Sequence, residues 1–317
     1  MRSLMIKKIL ALTYLLRFTA TAAHVIEPEQ VYDGGFKENS TIRLRIGNGG
    51  GGQCGMIGEL ANAFIRHCVE EGAEPFQVAW YKSDTTESIN YLKTGDVDVA
   101  ITYSIGAERA AVQGGIATEP IYCAWSDHFM LVGPQSNPAN LDEQSDIFTM
   151  ISRIVHMAEN EIPGSTVRFL SRYDKSATNI KESELFIAIG QVPWASRYSP
   201  WYHQYVAYPM EALRAAAYLK EYTLTDRGTY LSVDKDVRDR LAVYVVGSDD
   251  PDDPLLNPAH LIVGKRAKDA DLAKEFAEWV VSAAGQSVVT EFKKEGEPLY
   301  SGAPPSGYEK GTCFRRG

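Results

Sequence analysis

The sequence predicts an α/β chain of two lobes joined by two crossings, with a ligand cleft between them. Three observations predict it. Strand and helix signals alternate from residue 41 onward. The length, 317 residues, suits two cores of ordinary size better than one. The composition, 44% apolar and 23% charged, is that of a soluble globular protein.

The elements follow in order. Residues 41–46 (TIRLRI) alternate as a strand and enter a glycine-rich loop, Gly47 to Gly52. Residues 56–69 carry Ile57, Leu60, Ala61, Phe64, Ile65 and Cys68 at helical spacing. A strand over 76–81, a short helix over 85–92, a turn at Gly95-Asp96 and a strand over 97–102 complete the start of an open sheet. Residues 127–133 form a strand closed by Pro134. Helices are expected over 145–159, 176–189, 210–220, 270–281 and 285–293. Extended segments are expected over 167–170, 222–225, 241–246 and 260–263. The chain is expected to leave lobe one near residues 129–132 and return near 261–263. Lobe one is then 41–129 with 262–300, lobe two is 130–261, and 301–317 is a polar tail.

Residues 1–22 read as a secretory signal. Arg2, Lys7 and Lys8 precede the apolar run ILALTYLL, and Ala20-Thr21-Ala22 fits a cleavage site. Its removal takes away four positive charges and moves the formal net charge from −9 to −13. That argues against nucleic acid as the partner. No later stretch could span a bilayer, and the tail is too polar for a lipid-anchor signal. The mature chain is expected to be secreted, monomeric and free of cofactors. Asn39-Ser40-Thr41 is a glycosylation sequon.

Four cysteines, Cys54, Cys68, Cys123 and Cys313, permit two disulfides in a secreted chain. Cys54 and Cys68, fourteen residues apart on or beside one helix, would sit about 20 Å apart and cannot bridge each other. Each is expected to pair with Cys123 or Cys313. Six scattered histidines show no metal spacing, and no G-x-S-x-G elbow is present. Trp194, Trp201, Tyr202, Tyr205 and Tyr208 read as packing residues of the core or lobe edge.

Three segments carry binding chemistry. In the glycine run 47–52, backbone amides can approach an anion without Cβ clashes, but no Gly-Lys-Ser/Thr follows to make a nucleotide loop. In 171–178 (SRYDKSAT) a strand meets a helix start. Ser176 or Asp174 could cap that helix, and Arg172 offers a planar fork suited to oxyanions. In 222–230 (YTLTDRGTY) Asp226 is a natural cap.

These segments, with DPLLNP (253–258), FMLVGP (129–134) and GEPLY (296–300), occur in the order and spacing of a known family. Over about residues 42–300 the chain resembles the tungstate-binding proteins of ABC-type uptake systems. The resemblance implies a type II periplasmic-binding-protein fold, an interlobe oxyanion site and no catalysis; with no lipoprotein Cys at the cleavage site, a membrane transporter partner is left open. The candidate ligand residues are Asn48, Gly49, Gly50, Gly51, Thr85, Thr86, Arg172, Ser176, Thr178 and Arg227, with Gln53 as a further donor of the first loop. Two departures stand out: glycines replace the family's Thr/Ser-rich first loop, and Tyr173, Lys175 and Ala177 replace its more usual Gly, acid and Gly. Donors alone suit tungstate, molybdate or sulfate. Phosphate keeps a proton and needs an acceptor, such as Asp174 or Asp226. The rival readings are a phosphate or organic-anion binder, an enzyme using Cys54 or an Asp-His pair, and a chain that has lost its ligand.

Overall fold

The computed structural model describes residues 26–37, 40–160, 166–195 and 199–303. The expected signal, Asn39, Cys313 and most of the expected tail lie outside them. Strand β1 (Gln30–Tyr32) precedes β2 (Ile42–Asn48). The glycine run after β2 is helical rather than a loop. Helix α1 (Gly50–Cys54) ends at Gly55, whose φ of 99° is a left-handed geometry that glycine adopts without strain. Helix α2 (Met56–Glu70) starts there and buries the stripe Ile57, Leu60, Ala61, Phe64, Ile65 and Cys68. Then come β3 (Gln77–Lys82), α3 (Thr85–Thr94), β4 (Val99–Thr102), α4 (Ile105–Gln113) and β5 (Tyr122–Pro134).

The second half continues with α5 (Ile147–Glu159), β6 (Phe169–Ser171), α6 (Ala177–Ala188) and β7 (Tyr202–Gln204). Next are α7 (Pro209–Leu219), β8 (Tyr222–Asp226), α8 (Arg227–Ser232), α9 (Lys235–Arg238) and β9 (Leu241–Val246). Strand β10 (Leu256–Val263), α10 (Ala270–Val280) and α11 (Ala283–Glu291) close the fold.

Strand β5 is the axis of the molecule. Its first half, from Tyr122 to His128, pairs with β10. Its second half, from Phe129, pairs with β8 and β9. Lobe one therefore has the order β1-β3-β2-β4-β10-β5, and lobe two continues β5-β8-β6-β7 with β9 also on β5. The outward crossing falls at Phe129. The return falls earlier than 261–263. Leu256 already faces His128 of β5, and His260 to Val263 face Thr102 to Val99 of β4. The second crossing is therefore residues 247–255, and β10 belongs to lobe one along its length.

Each lobe has its own core on both faces of its sheet. In lobe one, Leu44, Phe64 and Phe276 pack on one face and Leu92, Ala111 and Ile262 on the other. In lobe two, alternate β5 residues part: Phe129 and Leu131 join Ile154, Phe186 and Tyr222, while Met130 and Val132 join Leu213 and Val237. Each large apolar side chain so buried contributes about 1.5–3 kcal/mol.

The expectation that Cys54 and Cys68 are bridged is overturned. Both are buried free thiols. They face the lobe-one core beside Leu60, Phe64 and Phe276. Among the described residues no helix is long and apolar enough to cross a membrane.

Candidate functional site

The cleft between the lobes holds an inner chamber of about 50 Å³. A single water needs about 10–15 Å³ on such a measure, so the chamber suits a compact polyatomic ion. Its lobe-one wall is Gly49, Gly50, Gly51, Ser83, Asp84, Thr85, Tyr103, Asp127 and Asn257.

Backbone geometry makes this wall. The first bond of α1 runs from Gln53 N–H to Gly49 O at 3.1 Å. Gly50 and Gly51 therefore have no intrahelical acceptor for their amides. Asn48 supports the turn from behind. Its Nδ2 donates to Ile101 O at 2.7 Å and its Oδ1 accepts from Gly52 N–H at 2.7 Å. Trp80 Nε1 donates to Asn48 O at 2.8 Å. A Cβ at Gly52 would fall 2.0 Å from the Trp80 ring, so only glycine fits this junction. At the next junction Asp84 caps α3, accepting from Glu87 N–H at 2.8 Å, which presents Thr85 to the chamber.

The lobe-two wall is built from side chains: Arg172, Ser176, Thr178, Tyr208 and Asp226, with Ala177 and Pro209 between them. Arg172 is 5% exposed. It donates from Nε to Ala207 O at 3.1 Å, from Nη1 to Thr178 Oγ1 at 3.4 Å, and from Nη2 to Asp174 in an ion pair. Three of its five N–H groups are so used, and two remain. Thr178 and Ser176 use their oxygens as acceptors, Thr178 from Arg172 and Ser176 from Asn179 N–H at 3.3 Å. Their hydroxyl protons are left to donate elsewhere.

Beneath this wall lies a buried network. Glu182 accepts from Ser171, from Asn179 Nδ2 at 2.7 Å and from Tyr202 OH at 3.3 Å. Burial pushes its carboxyl up to about 7. Two more buried carboxylates face the chamber. Burial, with Asp226 nearby, raises Asp127 well above the usual range. Burial also raises Asp226, which caps α8 through Thr229 N–H at 2.7 Å. Their environment favours the neutral acid.

Seven of the ten expected ligand residues line the chamber: Gly49, Gly50, Gly51, Thr85, Arg172, Ser176 and Thr178. Three do not. Asn48 is fully buried behind the turn. Thr86 instead bridges the lobes, donating to Lys175 O at 3.4 Å. Arg227 follows its cap and turns outward, 3.7 Å from Glu297. Of the two expected acceptors, Asp174 pairs with Arg172 and Asp226 lines the chamber. Sequence reasoning missed Tyr103, Asp127, Tyr208 and Asn257. Tyr208 sits among aromatics that mostly do pack, as Trp201 and Tyr202 show. Asn257 lies in the DPLLNP motif, the one available signal.

Residues 53–284 match the family model described as the PBP superfamily domain. The chain is 30% identical over 226 residues to the tungstate-binding protein TupA of Peptoclostridium acidaminophilum, covering 68% of this chain and 72% of that one. The chain belongs to the tungstate-binding family of the PBP superfamily. Among solved structures, a periplasmic protein provisionally described as metal-binding is 58% identical, with a TM-score of 0.80, covering 87% of this chain and all of that one. The tungstate ABC transporter protein of Geobacter sulfurreducens superposes with a TM-score of 0.66 at 22% identity, covering 79% and 98% of the two chains. This last likeness speaks to the fold, which is of type II.

The features that would suggest an enzyme lie elsewhere or are chemically quiet for a family member of this kind. Burial, with Asp226 nearby, pushes the Cys54 thiol up to about 12, so no thiolate forms near neutral pH. His128 pairs with the exposed Asp249 at 2.9 Å, and neither lines the inner chamber. His203 pairs with Glu221 at 2.7 Å, also away from it.

Proposed function

We propose that the mature chain is a secreted solute-binding protein, without catalytic activity, that closes its lobes on a small tetrahedral oxyanion. Tungstate and molybdate are the favoured ligands, delivered to an ABC-type membrane transporter. One observation carries the reading: donors from both lobes converge on one chamber of ionic size, glycine amides and Thr85 from one side, Arg172, Ser176 and Thr178 from the other. Each charge-assisted hydrogen bond adds roughly 1.5–3 kcal/mol, so five to seven can reach micromolar to nanomolar affinity after binding costs. The signal-like residues 1–22 supply the route out of the cell. With Cys54 and Cys68 free, Cys123 and Cys313 are the pair left for a single disulfide.

Phosphate is the competitor: it keeps a proton and needs an acceptor, which Asp127 or Asp226 would supply only where ionised. The test is a thermal-shift titration with tungstate, molybdate, sulfate and phosphate, beside Arg172→Ala. At about 100 times the dissociation constant a ligand adds roughly 2.7 kcal/mol of stability. Selective stabilisation by tungstate or molybdate, lost in the variant, is the expected result. Stabilisation by phosphate alone would move the ligand assignment, and no shift with any of the four would sink the oxyanion reading.

A further inference from the structure

The cleft continues past the inner chamber. A second cavity of about 650 Å³ adjoins it and shares Tyr103, Ala177 and Asn257. It lies between the start of α4, at Ile105 and Gly106, and the outer face of α6, at Ile180 and Lys181. A bare tetrahedral ion needs only the inner space. Nothing in such an ion would use the outer one.

Asn257 stands where the two cavities meet. It is 4% exposed, and its Oδ1 has no hydrogen-bond partner. It stands opposite Asp127 of β5 in the pairing of the two strands. Asp127 accepts from His128 N–H at 2.7 Å and lines the inner chamber beside it. A buried acceptor without a partner thus stands at the exit from the inner chamber.

We propose that this site takes an oxyanion carrying a short organic arm, with an ammonium or hydroxyl donor close to the charged head. The head occupies the inner chamber. The donor meets Asn257 Oδ1 and Asp127, and the rest of the arm enters the outer cavity between Ile105, Ile180 and Leu256. The proposal rests on the oxyanion reading of the inner chamber and extends it from inorganic ions to small amino- or hydroxyalkyl phosphonates, sulfonates and carboxylates.

The test is calorimetric titration of the mature protein with 2-aminoethylphosphonate, methylphosphonate and tungstate, in the wild type and in Gly106→Trp. A Cβ at Gly106 meets nothing within 4 Å, so the indole can fill the outer cavity without displacing the helix. Ile180→Phe plugs the same cavity from the other lobe, should the first variant fold poorly. The aminoethyl ligand should bind about tenfold or more tighter than methylphosphonate. The plug should erase that advantage and leave tungstate affinity unchanged. Aminoethylphosphonate binding without tungstate binding upholds the arm and retires the tungstate reading. Tungstate binding with equal or absent binding of the two phosphonates overturns the proposal and leaves the inorganic reading intact. An advantage that survives both plugs overturns it too.

Discussion

The two walls of the cleft do the same task with different materials. Lobe one presents backbone: the amides of Gly49 to Gly51, fixed by Asn48 and Trp80 behind them. Lobe two presents side chains: Arg172, Ser176 and Thr178, each locked by a neighbour. A backbone wall is set by its packing from behind, and at Gly52 that packing admits no Cβ, whereas at Gly50 a Cβ would meet nothing. A side-chain wall can be altered one hydroxyl at a time, but depends on the buried groups that hold it. The two walls should therefore fail in different ways when changed.

The largest effect belongs to the backbone wall. Gly52→Ala drives a methyl into the Trp80 ring. It should cost about 3 kcal/mol of stability, read from urea unfolding, because the Trp80 ring is itself buried and held to Asn48 and must shift to admit the methyl. A loss under about 1 kcal/mol would show that this wall yields, and the contrast with lobe two would weaken.

The next effect tests the support under the side-chain wall. The Glu182 carboxyl lies at about 7 in the fold against a usual 4.5, so the folded protein holds its proton more tightly than the unfolded chain. Its contribution is therefore full below pH 4.5 and is lost as pH rises through about 7. Glu182→Gln stays neutral throughout. Relative to that variant, the wild type should lose on the order of 3 kcal/mol between pH 4 and pH 8, measured by unfolding at each pH. A constant difference across that range would remove Glu182 from the account.

How much of this was legible in the sequence differs between the walls as well. The lobe-two wall could be read: Ser176 and Asp226 are caps by residue type and position, and both do cap their helices. The α2 stripe was equally plain. The lobe-one wall was half hidden, because a run of glycines reads as a loop, and only the packing of Trp80 and Asn48 makes it the helix α1. Asp127 was concealed inside a strand that reads as apolar. The early start of β10 was concealed by Pro258, which argues against a strand although it lies within one. Arg227 was misplaced because residue type alone does not say which way the first residue after a cap points. The cysteines misled because an even count in a secreted chain suggests bridges, whereas Cys54 and Cys68 face a core large enough to need none.

The smallest effect is a single hydroxyl of the side-chain wall. Thr178→Val keeps shape and removes the proton that Thr178 can donate into the chamber. Oxyanion affinity should fall about tenfold, with unfolding stability changed by less than about 1 kcal/mol. Calorimetric titration and urea unfolding on the same variant give both numbers. Unchanged affinity would leave Arg172 and Ser176 as the donors of that wall.

The most direct measurement of the central claim is a crystal structure of the protein grown with tungstate, with the metal located by its anomalous scattering. A single strong peak between the amides of Gly49 to Gly51 and the side chains of Arg172 and Thr178 is the predicted result. A peak outside the interlobe cleft, or none at saturating tungstate, would contradict it.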